Sequence, residues 1–338
     1  MNLKQLIPVL ALLFVPLHAR AQQPLPIIDM HLHALPADTN GPPPLAICVP
    51  VVTMVPAWDP NRSWEEVWMA AVKNPPCSDP IWSPTTDEAV MEQTIEVLGR
   101  RNIIGVLSGT PARVRRWSEA APGRFIPSVQ FRLGRDELSP DSMRRLFESG
   151  GFAVLGEISN QYAGIAPNDE RMEPYWALAE DLDVPVAIHM GQGPPGAPYL
   201  GTPEYRVRLT SPHLLEDVLV RHPRLRVSVM HCASPLIDEM IAMLWTHPQL
   251  YVDIGGIQWA YPRAHFYRQL RSFIDAGFGK RVMFGSDQMN WPGIIEPAIA
   301  IIEEAPFLSE EQKRDIFYNN AARFLRLSEE EIAKHHGN

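Results

Sequence analysis

The chain has 338 residues, with 30 Lys and Arg against 39 Asp and Glu, 46% hydrophobic residues, 34 prolines and 3 cysteines. This length and apolar content exclude a disordered polar chain and a small scaffold that depends on staples. A formal charge of −9 argues against non-specific nucleic-acid binding, and three cysteines cannot build a disulfide framework.

Residues 1–21 read as a secretory signal. Lys4 supplies the positive start, an apolar run of about 12 residues follows, and Ala19-Arg20-Ala21 fits a small-x-small cleavage site. The run falls short of the roughly 20 residues that span a bilayer. Residues 22–338 are therefore expected to be exported to the periplasm with no stable membrane insertion, and the eight units that follow make them a single domain. In an oxidising compartment Cys48 and Cys77 either pair or remain two thiols, and Cys232, inside an apolar run, reads as a buried free thiol.

Eight short apolar runs follow, at 27–33, 103–108, 125–131, 152–158, 185–190, 225–232, 250–254 and 282–286. Most are near-continuous in Val, Ile, Leu and Phe, the pattern of strands covered on both faces. Amphipathic helices are predicted between and after them, over 86–101, 113–120, 141–149, 173–182, 212–221, 235–245, 263–276 and 294–304. Eight alternating units predict an α/β fold, a distorted (β/α)8 TIM barrel rather than an open doubly wound sheet. The Pro-rich stretch 35–84, carrying Trp58, Trp64, Trp68 and Trp82, interrupts the first unit and is predicted to be a lid over the barrel mouth. Residues 309–327 are predicted to be a helix or helix pair packed on the outside.

Ionisable side chains stand where the apolar runs stop: His31 and His33, Glu157, His189, His231 and Asp287. In a parallel barrel these C-terminal strand ends converge on one mouth. A His-x-His pair on a strand points both imidazoles to one face, and neutral imidazoles with added carboxylates suit a divalent metal. With so few thiols, His and carboxylate must hold any such ion. Gly191-Gln192-Gly193-Pro194-Pro195-Gly196 spells G-x-G-x-x-G. Its prolines lack the N–H groups a pyrophosphate needs and no helix opens there, so a rigid active-site loop is predicted instead of a dinucleotide site.

With these segments in view the chain resembles the amidohydrolase superfamily, most closely the amidohydrolase-2 branch that includes aminocarboxymuconate-semialdehyde decarboxylase. The resemblance rests on Ile28-Asp29-Met30-His31-Leu32-His33, Gly156-Glu157-Ile158, Ala187-Ile188-His189 and Val229-Met230-His231-Cys232. It continues through Phe284-Gly285-Ser286-Asp287 and Asn320-Ala321-Ala322-Arg323-Phe324. It implies a distorted barrel holding one or two divalent metals, zinc being the expected ion. His31, His33, His189 and Asp287 match the family's ligands. His231 falls where members place a second-metal ligand or a catalytic histidine. Glu157 occupies the strand-four position of the bridging lysine or glutamate in binuclear members.

The expected activity is hydrolysis of a small ester, lactone or amide through a metal-activated water. Asp287 would move the proton, and His231 would bind a second metal or stabilise the oxyanion. Arg132, just beyond strand three, is a candidate for binding a substrate carboxylate, with a surface ion pair as its plainer role. Trp82, Tyr162 and Trp291 are candidates for the pocket by position. Two alternatives stand beside hydrolysis: metal-dependent non-oxidative decarboxylation on the same barrel, and an exported metal-binding protein without catalysis. The expected partner is a small-molecule substrate, and a homo-oligomer is compatible with the sequence.

Overall fold

The apolar runs fold as eight parallel strands: β1 (Ile27–His33), β2 (Ile103–Gly109), β3 (Phe125–Phe131), β4 (Val154–Ile158), β5 (Val186–His189), β6 (Val227–Met230), β7 (Leu250–Asp253) and β8 (Val282–Met283). The computed structural model describes residues 24–136 and 138–337, so the expected signal, residues 1–21, lies outside them. Each strand pairs with the next in chain order. Backbone bonds then join the two ends, with Met30 N–H donating to Phe284 O at 2.9 Å and Asp287 N–H to His31 O at 2.8 Å. The result is an eight-stranded parallel barrel.

A helix follows every strand and covers the sheet from outside. The eight are Asp87–Arg100, Pro111–Ala120, Pro140–Glu148, Glu173–Asp181, Glu216–Arg221, Ile237–Thr246, Arg263–Asp275 and Ile295–Glu303. Local chemistry sets their starts. Thr86 caps the first, accepting from Ala89 N–H at 3.2 Å, and Asp87 and Glu88 complement the dipole in its first turn.

Strands six and eight are shorter than the apolar runs. His231, Cys232 and Ala233 have φ of 57°, 44° and 54°, so the chain leaves the extended conformation directly after Met230. Beyond Met283, side chains replace ladder bonds. Asp29 Oδ1 accepts from Ser286 N–H at 2.9 Å, while the Gln288 amide accepts from His33 N–H at 2.9 Å and donates to His33 O at 2.7 Å.

The stretch after β1 is more ordered than its composition suggests. It contains a helix, Trp64–Lys73, capped by Ser63, and an antiparallel ribbon pairing Ala46–Ile47 with Ile81–Trp82. Cys48 and Cys77 form a disulfide with Cα atoms 5.9 Å apart, and Cys232 is a buried free thiol. The Trp64 indole donates to Pro195 O at 3.0 Å and the Trp291 indole to Leu45 O at 2.9 Å. The insertion thus touches the loops that leave β5 and β8 on the mouth side.

The C-terminal segment corrects one expectation. It does not pack simply on the outside. Tyr318, Ala321, Ala322 and Phe324 share a buried cluster with Ile28, Met30, Val106, Val154, Ala187, Met230 and Met283 of the strands. Arg314 reaches Pro26 O at 2.7 Å and Asn320 reaches Val282 O at 2.7 Å, both at strand starts. The segment is the barrel's floor, because the inward apolar side chains need a cover at the end opposite the mouth.

Candidate metal centre

All six strand-end residues come together at the mouth. Ligand atoms of His31, His33 and Glu157 lie within 4.8 Å of one another, as do those of His31, His231 and Asp287 and those of Glu157, His189 and His231. The imidazoles form a row, with ring centroids 5.1 Å apart for His33 and His31, 5.0 Å for His31 and His231, and 4.7 Å for His231 and His189. Five of the six are buried and His231 is half-buried.

Two irregularities aim these side chains. In β1 the pairing register shifts between Asp29 and Leu32. Ile28 and Met30 belong to the inner cluster and Leu32 to the outer one, so the shift lets His31 and His33 turn inward above Met30. In β4 the register shifts between Leu155 and Ile158. Val154 packs inside, Leu155 and Ile158 pack outside, and Glu157 joins the site, with its N–H donating to Ser108 Oγ at 2.6 Å.

Three imidazoles are held through Nδ1 by groups that accept hydrogen bonds. His31 Nδ1 lies 3.2 Å from Asp253 Oδ1, His189 Nδ1 lies 2.9 Å from Gln161 Oε1, and His231 Nδ1 lies 2.7 Å from Gly255 O. The Gln161 orientation follows from its amide nitrogen, which donates to Gly191 O at 2.8 Å and Thr210 Oγ1 at 3.0 Å. Each acceptor places a proton on Nδ1, and in the neutral ring it leaves the Nε2 lone pair for the centre of the cluster. His31 Nε2 is buried without a hydrogen-bond partner among the described residues. A buried ring nitrogen without a hydrogen-bond partner, beside two further imidazoles and two carboxylates, is a donor set that fits a divalent cation once its proton is displaced.

Asp287 lies at the centre, with Oδ1 3.2 Å from His33 Nε2 and 3.6 Å from His31 Nε2. Its φ is 53°, held by the bond from its N–H to His31 O. The backbone of Gly255 and Gly256 presses on the cluster. A Cβ on Gly255 would lie 2.6 Å from His31 Nδ1, and one on Gly256 (φ +78°) would lie 2.7 Å from Asp287 Oδ2. Only glycine fits at either position.

Charge is distributed unevenly. Burial works against a charged His31, yet the carboxylates of Asp253, Asp287 and Glu157 outweigh it and raise its pKa to about 10. Burial likewise works against an ionised Asp287, but His31, His33 and His231 hold its carboxyl well below the usual range. Burial and the neighbouring His231 push His189 well below the ordinary imidazole value, keeping it neutral. Beneath the cluster, burial raises Asp29 to about 6 despite the bonds it accepts from Ser286 and His31.

Tyr162 and Arg132 form the adjoining wall. The Tyr162 hydroxyl lies 3.3 Å from His189 Nε2, and the Arg132 guanidinium sits 5.0 Å above the Tyr162 ring while donating to Ser159 Oγ at 3.2 Å. Tyr205 packs on Tyr162 at 5.0 Å between ring centroids. Trp291 is buried and fastens the insertion, whereas Trp82 is 46% exposed on the ribbon. Sequence reasoning passed over Asp253, Gln161 and Tyr205. Asp253 carried a usable signal, a carboxylate at the end of an apolar run, as at Asp287. Gln161 is a neutral residue in a loop and carried none.

The amidohydrolase family model (Amidohydro_2) matches residues 28–327, and the chain belongs to this family of metal-dependent enzymes. Its fold is similar to an uncharacterised TIM-barrel protein from Bordetella bronchiseptica, with 19% identity over 93% of this chain and 100% of that one and a TM-score of 0.61. A probable 2-pyrone-4,6-dicarboxylic acid hydrolase from Acinetobacter baumannii is similar at 14% identity, over 89% of this chain and 99% of that one, with a TM-score of 0.54. A dihydroxybenzoic acid decarboxylase from Polaromonas, solved with bound manganese, is similar at 15% identity, over 91% and 99% of the two chains, with a TM-score of 0.52. No curated protein matches the chain in sequence.

Proposed function

We propose that the protein is a divalent-metal-dependent hydrolase of a small ester, lactone or amide. The observation that carries this reading is Glu157, whose carboxylate belongs both to the His31–His33 triad and to the His189–His231 triad. A carboxylate shared in this way suits two cations, the arrangement associated with hydrolytic chemistry. His31, His33, His189 and Asp287, with Glu157 and His231, would hold one or two ions. Zinc is the expected metal for such imidazole and carboxylate donors. A divalent cation bound there supplies Lewis-acid polarisation of a carbonyl and lowers the pKa of water.

The chain's own groups do the rest. Asp287, kept ionised by the surrounding imidazoles, accepts a proton from the attacking water and returns it to the leaving group. His231, with Nδ1 engaged by Gly255 O, offers a lone pair at Nε2 while neutral, which suits a second cation better than an oxyanion. Arg132, fixed over Tyr162, pairs with a carboxylate on the substrate.

Metal analysis of the purified full chain with an ester, lactone and amide panel tests this reading. Two ions per chain are expected, falling to one with loss of hydrolysis in Glu157→Gln. The Arg132 position also favours a second reading, non-oxidative decarboxylation of a small carboxylated substrate. One ion per chain, a harmless Glu157→Gln and release of CO2 would establish that reading instead.

Export belongs to the same proposal. The Cys48–Cys77 disulfide supports it, because such bonds persist in oxidising compartments such as the periplasm. Mass spectrometry of the exported protein, with a mature N-terminus after Ala21 as the expected result, tests it.

A further inference from the structure

Large apolar side chains are unevenly exposed on this molecule. Val49, Val52, Val55, Trp82, Tyr199 and Val207 are exposed on the insertion or on the loop that leaves β5, while Leu25, Val220 and Trp245 are exposed elsewhere. Exposed apolar side chains concentrated on two segments that touch each other make a candidate binding surface. Four rings of these two segments form a row in which Tyr199 is exposed, Trp58 and Trp68 are half-buried and Trp64 is buried. Tyr199, 58% exposed, lies 5.1 Å from Trp58, Trp58 lies 5.6 Å from Trp64, and Trp64 stacks on Trp68 at 6.2 Å.

Two segments distant in sequence are shaped to build this row. The β5 loop approaches so closely that a Cβ on Gly196 (φ +72°) would lie 2.0 Å from the Trp64 indole nitrogen. The two indole N–H groups nearest Tyr199 are already spent, Trp58 donating to Arg62 O at 2.9 Å and Trp64 to Pro195 O at 3.0 Å. What these two indoles still offer is π-face and edge, which recognise a planar apolar group. The same loop begins at Gly191, where a Cβ would lie 3.0 Å from the His231 ring. One loop therefore runs from the metal-ligand cluster to the exposed ring.

We propose that Tyr199 and Trp58 form a subsite at the barrel mouth for an aromatic ring of the substrate, remote from the bond that reacts. The substrate class is then an aryl-bearing ester, lactone or amide. The reacting bond rests on the hydrolase reading, but the ring subsite does not.

Equilibrium dialysis of 2-naphthol against the metal-loaded full chain, with 2-naphthyl acetate and methyl acetate as paired esters, tests the subsite. Tyr199→Ala is expected to weaken naphthol binding about three- to tenfold and to raise KM for the naphthyl ester but not the methyl ester. Tyr199→Phe retains the ring and is expected to restore binding. Trp245→Ala removes an 83% exposed indole elsewhere and is expected to leave binding unchanged. Equal naphthol affinity in wild type and Tyr199→Ala, or an equal loss in Trp245→Ala, overturns the subsite. Naphthol binding that follows Tyr199 while neither ester turns over supports the subsite and removes the hydrolase reading alone.

Discussion

Asp253 and His31 form a buried carboxylate–imidazole pair, Oδ1 to Nδ1 at 3.2 Å, with both side chains only 1% exposed. The carboxylate fixes the ring's orientation and makes its far nitrogen more basic. Asp253→Asn keeps the shape but removes the charge. Metal affinity is expected to fall about 10- to 100-fold, measured by competition with a chelating dye, while circular dichroism stays native.

The raised pKa of His31 ties metal binding to pH. With its value near 10 in the metal-free protein, the ring is charged at neutral pH, and a cation must displace that proton. Apparent metal affinity should rise with pH until that value is passed. Calorimetry in buffers of different ionisation enthalpy should show proton release at pH 7. In the metal-free protein the His31 contribution to stability is fully present below 6.5, its ordinary value, and is lost as pH rises through about 10. Asp287, with its pKa lowered, contributes stability above the ordinary carboxylate range and loses it as pH falls.

Asp287→Asn retains an oxygen ligand but cannot accept the proton. Turnover is expected to fall at least about 100-fold while most of the metal is kept, as read by steady-state kinetics beside metal analysis. Unchanged turnover would remove Asp287 from the proton path.

Gly256→Ala places a methyl group 2.7 Å from Asp287 Oδ2 at a φ of +78°. A loss of at least about 1 kcal/mol in urea unfolding is expected, together with weaker metal binding. A stable variant with full metal affinity would show that the backbone there has room to move.

Breaking the disulfide with Cys48→Ser and Cys77→Ser removes a cross-link spanning 29 residues. The expected cost is about 3 kcal/mol, concentrated in the insertion. Hydrogen exchange should quicken across 35–84 and stay unchanged in the barrel strands.

The barrel and its six strand-end groups were legible because strands covered on both faces read as continuous apolar runs. Ionisable residues such as Glu157 and His189 interrupt that pattern only at the mouth. Less legible was what depends on departures from regular pairing. A strict period of two cannot place both Met30 and His31 inside the barrel; the register shift in β1 does. The run at 225–232 gave no sign that the chain would turn at His231, where three consecutive residues adopt positive φ. The C-terminal segment looked like an ordinary outer helix, since its apolar face is the same whether it covers a helix layer or the inward side chains of a barrel.

The closure between β1 and β8 brings Met30 to Phe284 and His31 to Asp287 across most of the chain's length. His31 and Asp287 also stand on opposite sides of that join as prospective ligands of one ion. Such an ion would be a clasp on the barrel's last and longest-range joint, one that cannot form until nearly all of the chain has been made. Its removal would then be felt first as opening between β1 and β8, well before the helices outside respond.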